Sequence, residues 1–180
     1  MTGRSTPSWS DVKGKLADFD RPGLIGLVQD LYAASKDNQA FLHARLHLGN
    51  DVLKPYKAAM DRWLRPDVLR NQDVSVAKAK KAIADYKKAS GTADGLAELM
   101  VFYCEQTSGF SCEVGLDDEA YLSALVRMFE RALKTVATLP DTQRPAFWTR
   151  LQMVRDRSDD IGYGVGEDME ASLTEHGADD

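Results

Sequence analysis

The sequence has no apolar run near the ~20 residues that a membrane-spanning helix requires. Its first seven residues also lack the apolar core of a signal peptide. We therefore expect a cytoplasmic protein that does not enter a membrane. Cysteine is scarce as well, because Cys104 and Cys112 are the only two. In a reducing compartment we expect no disulfide between them.

Sustained alternation of apolar and polar residues, which is typical of half-buried strands, occurs nowhere in the chain. Hydrophobic residues make up 43% of the sequence and charged residues 28%, which is ordinary globular usage and excludes a disordered chain. A chain of 180 residues fits one domain with a sizeable core. The predicted fold class is therefore all-α.

The most apolar segment spans residues 92–106. At 100° per residue its large apolar side chains point to almost every side, and mainly Glu98 and Glu105 remain as a polar strip. Such a helix is typically buried, whereas the other amphipathic segments have only one apolar face each. We expect a single domain of about seven to eight helices packed around this central helix. Both a helical-hairpin bundle and a short α-solenoid fit, the latter because segments 23–28 and 95–100 resemble each other.

Helical spacing of apolar residues and capping signals predict the other elements. Asp20 is the expected N-cap of a helix with Pro22 in its first turn. This helix should form an antiparallel hairpin with the next one, which is expected to bury Phe41, Leu42, Leu46 and Leu48. Residues 65–73 and 107–115 are expected to be a linker and a loop. The remaining helices are predicted over 11–19, 38–48, 51–64, 74–90, from Asp117 to Pro140, from Asp141 onward, and in an acidic segment ending at Glu175.

Charge is unevenly distributed along the chain. The net charge is −5, but residues 156–180 alone carry −8, so the preceding part carries +3. The glycine-rich segment 162–166 has no preceding strand and no Gly-Lys-Ser/Thr ending, so it is expected to be a connector, not a nucleotide loop. We expect a helical domain over 1–156 and an acidic, Gly-hinged extension over 157–180, which is suited to fold back on a basic surface.

The highest density of basic residues is expected on the predicted helix 74–90, where Lys80, Lys81, Lys87 and Lys88 form a stripe. Such a stripe can neutralise phosphates, so binding of nucleic acid or another polyanion is one possible function. Aromatic interleaving is poor, however, because Tyr86 falls on the apolar side. A solvated helix face is the alternative interpretation and the favoured one.

Two further pairs of residues could carry chemistry. His43 and His47 have the i, i+4 spacing of a zinc-binding helix face, but they lack the adjacent Glu of the zinc-protease motif, and a solvated face is favoured. Glu98 and Glu105 could act as acid and base or bind a cation, although they could equally be the water-facing strip of the central helix. Arg45 lies within an apolar arc and is expected to pair with one of these carboxylates or with Asp30.

The segment 27–42 reads Leu-Val-Gln-Asp-Leu-Tyr-Ala-Ala-Ser-Lys-Asp-Asn-Gln-Ala-Phe-Leu. It resembles the opening of a bacterial family of conserved hypothetical all-helical proteins of unknown function. The resemblance covers under a quarter of the chain. It implies a bacterial, all-helical protein and implies no activity, cofactor or site.

No pattern combines a nucleophile with its base, a complete metal sphere or a cofactor motif. We therefore expect no cofactor and no metal. Whether the protein is an enzyme stays open, and the lack of a recognisable catalytic motif favours a protein that is not one. Broad apolar helix faces favour a protein-interaction or adaptor module with a protein partner. The alternatives are polyanion binding through helix 74–90 and an enzyme or metal protein that uses Glu98 and Glu105 or His43 and His47.

Overall fold

A computed structural model describes residues 6–67, 70 and 72–177 of the chain. Within these residues the protein has nine α-helices and no strand, which confirms the predicted all-α fold. None of the helices in the described ranges is long and apolar enough to cross a membrane. The helices are α1 (Trp9–Leu16), α2 (Arg21–Ala34), α3 (Lys36–Arg45), α4 (Lys54–Leu64), α5 (Val76–Ala89), α6 (Ala93–Val114), α7 (Glu119–Ala137), α8 (Arg144–Arg157) and α9 (Val165–Gly177).

Helix α6 lies at the centre of the fold. It packs against α4, α5, α7 and α8. Leu99, Tyr103 and Cys104 of this helix are completely shielded from solvent. The prediction of a central buried helix is confirmed.

The expected loop over residues 107–115 was wrong, because α6 continues to Val114. Thr107 and Ser108 are buried within the helix, and the Thr107 hydroxyl donates to the Tyr103 carbonyl oxygen at 2.8 Å. This bond satisfies a hydroxyl that would otherwise disfavour a helix interior. The helix ends at Gly115, whose φ of 62° is left-handed and suits a residue without a Cβ.

Side-chain caps determine where several helices begin. The Asp20 carboxylate accepts from the Gly23 amide at 2.8 Å, as predicted. Asp118, one residue after the predicted start of its helix at Asp117, accepts from the Tyr121 amide at 2.9 Å. Asp51 caps the turn that precedes α4, and the helix itself therefore starts three residues later than predicted, with a proline in its first turn.

Helix α9 packs mainly against α7 and also touches α8. Its residues Val165 and Met169 belong to the same hydrophobic core as the central helix. The acidic C-terminal segment therefore lies beside α7, and its main contacts are not with the lysine-rich helix α5. Removal of α9 would expose apolar surface on α7.

The N-terminal helices differ most from expectation. No residue of α1 or α2 is buried, and within the described ranges α2 makes extended contact only with α3. Helix α3 reaches the core through Ala40 and Ala44, whose small side chains let α5 approach closely. Phe41, Leu46 and Leu48 were predicted to be buried but are exposed, because α3 ends at Arg45 and its core-facing side carries the alanines.

Candidate functional site

Exposed apolar side chains are concentrated at the N-terminal end of the described chain. Fifteen large hydrophobic residues within the described ranges are exposed, and eleven of them precede residue 49. Single exposed apolar residues are common on proteins, but a contiguous group of them is informative. The eleven are Trp9, Val12, Phe19, Leu24, Ile25, Val28, Leu31, Tyr32, Phe41, Leu46 and Leu48.

Five of these side chains lie together on α2. Their spacing of i, i+1, i+4, i+7 and i+8 places them within an arc of about 120° on one side of the helix. Their exposed fractions range from 37% to 59%. We call this group the α2 apolar surface; it consists of Leu24, Ile25, Val28, Leu31 and Tyr32.

Hydrogen bonds connect the end of α2 to the start of α3, although the apolar side of α2 is uncovered. Ser35 ends the helix in an extended conformation, and its hydroxyl accepts from the Asp37 amide at 3.1 Å to begin α3. The Asn38 side chain donates to the Leu31 carbonyl oxygen at 2.6 Å, and the Gln39 side chain donates to that of Tyr32 at 3.1 Å. These bonds satisfy carbonyls that have no partner at a helix end.

The size of the α2 apolar surface is physically significant. Its five side chains expose roughly 400 Å² in total, which corresponds to about 10 kcal/mol on complete burial at 25 cal/mol per Å². Patches of roughly 300–600 Å² are the largest on typical monomers and often bind a partner. The surface forms one side of the helix, and at one end Tyr32 also contacts His43 of α3.

Glu98 and Glu105, the carboxylates singled out from the sequence, are part of an ion cluster between α4, α6 and α8. Arg150 contacts both of them: its Nε lies 2.7 Å from Glu105 Oε1, and its Nη2 lies 3.2 Å from Glu98 Oε1. Lys57 donates to Glu98 Oε1 at 2.7 Å. The four side chains are partly buried, and their formal charges cancel.

This arrangement restricts the chemistry of the two carboxylates. Burial raises the pKa of Glu98, but hydrogen bonds from Arg150 and Lys57, together with their charges, outweigh that effect and hold the pKa below its ordinary value. Glu98 is therefore ionised at neutral pH and its oxygens already accept hydrogen bonds. The cluster joins three helices, and the ionised Glu98 is not poised as a general acid.

The two histidines proposed as weak metal ligands do not share a helix. His43 lies on α3, where its Nε2 is 3.0 Å from the Tyr32 hydroxyl. His47 follows the end of α3 and has a left-handed φ of 52°. The i, i+4 geometry that motivated a zinc site is therefore absent. Within the described residues no group of three or more His, Cys, Asp or Glu side chains could hold a metal ion.

The four lysines of the proposed stripe differ in burial and in charge partners. Lys81 forms an ion pair with Asp85, so part of its charge is neutralised. Lys80 is partly buried, and its burial and the charges of Arg127 and Arg131 lower its pKa. Lys87 and Lys88 are exposed near the end of α5. Binding of a polyanion to this helix stays a prediction.

Arg45 does not form the ion pair expected for it. Its guanidinium donates to the backbone carbonyl oxygen of Lys88 and lies over the ring of Phe41, 5.3 Å from the centroid. It thereby connects α3 to the end of α5. The partner of Glu98 and Glu105 is instead Arg150, which the sequence interpretation missed. In the sequence, Arg150 is distinguished only by its position next to Leu151, which the apolar spacing of its helix predicts to face inward.

Comparisons of the chain with protein-family models, with curated proteins and with solved structures found no match. Among the groups described above, the α2 apolar surface is the one whose exposure has no explanation within a single chain.

Proposed function

We propose that the protein is a protein-interaction module that binds its partner through the α2 apolar surface. The observation that carries the proposal is that α2 exposes five large apolar side chains in one arc while burying none of its fourteen residues. A helix of this length is marginal in water without tertiary contacts on its apolar side. Binding of a partner supplies those contacts.

The shape of the surface favours a protein over a small molecule. Small-molecule sites are concave and enclose most of their ligand. The α2 apolar surface is instead one side of a helix, about 12 Å long at 1.5 Å per residue. A surface of that shape suits a helix or a groove on another protein.

The charges around the surface favour a protein over a lipid bilayer. Helices that lie on membranes are rich in Lys and Arg on their polar side, which attract anionic lipids. Helix α2 carries only Arg21 and Asp30, and Asp18 and Asp20 precede it. The region therefore has no excess of positive charge to hold it on an anionic membrane.

The proposal is tested by site-specific photo-crosslinking in living cells. A photoreactive amino acid replaces Ile25 in one variant and Met153 in a control variant. Met153 is exposed to a similar degree but lies on α8. We expect discrete crosslinked protein bands with the probe at position 25 and none with the probe at position 153.

A second substitution makes the result specific. Val28→Glu places a charge in the middle of the α2 apolar surface and should remove the bands formed by the probe at position 25. Because Val28 is exposed in the single chain, this change should leave the thermal unfolding of the monomer almost unchanged. Equal crosslinking from positions 25 and 153 contradicts the proposal.

A further inference from the structure

We propose that the occupant of the α2 apolar surface is a second copy of this chain, paired as a two-fold symmetric dimer with α2 antiparallel to α2. This inference rests on the proposed function and specifies its partner. Three properties of the described residues support it: the symmetry of the surface, its area and the charges at its two ends.

The five residues are placed symmetrically about Val28. Leu24 and Tyr32 lie four residues to either side of it, and Ile25 and Leu31 lie three residues to either side. In an interface with a two-fold axis the same patch occurs on both subunits and must be self-complementary. With Val28 on the axis, each apolar residue of one α2 faces an apolar residue of the other.

The area agrees with a stable dimer. Homodimer interfaces are roughly 65% apolar at their core, so ~400 Å² of apolar surface implies about 600 Å² per subunit. Two subunits then bury about 1,200 Å², which is the lower limit for standard specific interfaces. Exposed neighbours such as Phe19 adjoin the start of α2 and can add to this area.

Charges at the two ends of α2 are complementary in this arrangement. Asp20 and Arg21 lie at the start of the helix, and Lys36 and Asp37 begin α3 immediately after its end. An antiparallel pair centred on Val28 brings the Asp20–Arg21 end of each α2 beside the end at which Lys36 and Asp37 of the partner subunit begin α3, so that acidic and basic side chains occur on both sides of the contact. Antiparallel helices also place the positive end of each helix dipole beside the negative end of the other.

Permanent exposure of the surface gives a further reason for a second copy. Because α2 has no buried residue, the isolated chain leaves this apolar side in water whenever a partner is absent. A second copy is present at the same concentration as the first at all times. Oligomers of soluble proteins are most often two-fold dimers.

Sedimentation equilibrium of the purified chain provides the first test. We expect a mass twice the 19.9 kDa of one chain at micromolar concentration. Val28→Glu brings two carboxylates together at the axis and should raise the dimer dissociation constant at least about 100-fold. Val114→Glu, at an exposed site near the end of α6, is the matched control and should leave the dissociation constant unchanged.

Disulfide trapping tests the position of the axis. Cys112 is exposed and is first replaced by Ser, whereas Cys104 is buried and can stay. In that background Val28→Cys should form a disulfide-linked dimer on mild oxidation, because a residue on the axis meets its own copy within disulfide distance. The control Met153→Cys should remain monomeric on a non-reducing gel.

The outcomes separate this inference from the proposed function. A monomeric chain whose probe at position 25 crosslinks to a different protein overturns the dimer and supports the interaction module. A monomer without specific crosslinks from position 25 overturns both. A dimer that Val28→Glu does not dissociate, or that Val28→Cys does not trap, uses another surface and overturns the inference.

Discussion

The guanidinium of Arg150 on α8 forms two parallel hydrogen bonds with the carboxylate of Glu105 on α6, at 2.7 Å from Nε and 2.8 Å from Nη2. Such bidentate pairs are stronger and more specific in geometry than single hydrogen bonds to a charged group. Because the same guanidinium also contacts Glu98, it holds together two carboxylates that would otherwise repel each other on one helix.

Replacement of Arg150 by Ala should therefore destabilise the fold strongly. The change leaves Glu98 and Glu105 partly buried with only Lys57 for compensation, and we expect a loss of about 2–4 kcal/mol in the free energy of unfolding. Lys134→Ala breaks a fully exposed ion pair with Glu130 and is the control, for which we expect a much smaller loss. Urea denaturation of both variants measures the difference, and equal losses would show that the cluster is not structural.

The ion cluster around Arg150 also predicts that the stability of the fold decreases at acidic pH. The pKa of Glu98 is lower in the folded protein than its ordinary value of 4.5. The unfolded chain therefore binds the proton more readily, so the stabilisation is fully present above the ordinary pKa and is lost as pH falls through the folded pKa. Glu98→Gln should lower stability at neutral pH and flatten the decrease in unfolding free energy below about pH 5. If the unfolding free energy of Glu98→Gln decreases with falling pH in parallel with that of the wild type, Glu98 is not the group responsible for the acid dependence.

Gly95 should not tolerate a side chain. A Cβ at this buried position would lie 2.0 Å from the Tyr86 hydroxyl, which is itself 2.9 Å from the Thr92 hydroxyl. Gly95→Ala must displace the tyrosine ring, and we expect a destabilisation of about 1–3 kcal/mol despite the better helix propensity of alanine. Gly26→Ala meets nothing within 4 Å and should be neutral or stabilising by up to about 1 kcal/mol. Thermal unfolding of the two variants distinguishes the effect of the steric clash at Gly95 from the effect of helix propensity.

Helix α9 should contribute to the stability of the core. Met169 is completely buried against the rest of the fold, and Met169→Ala should cost about 2–5 kcal/mol through lost transfer energy and the remaining cavity. Glu175→Ala, at an exposed position of the same helix, should change stability by about 0.5 kcal/mol or less. A chain shortened after Arg157 should unfold at a lower temperature than the full chain; unchanged melting would mean that α9 is dispensable.

Local patterns predicted much of this fold, whereas contacts between distant segments could not be predicted from them. The apolar periodicity of the central segment and the caps at Asp20 and near Asp118 gave the correct helices, because both signals depend on residues within one or two turns. The continuation of α6 was missed because Thr107 and Ser108 are typical of loops unless their hydroxyls bond within the helix.

The candidate functional site was likewise predicted only in part. Helical spacing predicted α2 and its hairpin with α3, but periodicity does not specify what covers the apolar side of a helix, and all amphipathic segments were expected to pack around the central helix. Glu98 and Glu105 were recognised as a polar strip, while their partner Arg150 lies 45 residues beyond Glu105 and carries no local signal. Pairings of this kind depend on how helices pack, which a single helix pattern does not contain.

Hydroxyl-radical footprinting with mass spectrometry measures whether protein covers the α2 apolar surface in the cell. Oxidation of Ile25, Leu31 and Tyr32 is compared between living cells and the purified chain at nanomolar concentration, with the exposed Met153 as the internal reference. We expect the α2 side chains to be protected several-fold in cells and exposed in the dilute sample, while Met153 is oxidised equally in both. Equal oxidation of the α2 side chains in the two samples would show that no partner covers this surface in the cell.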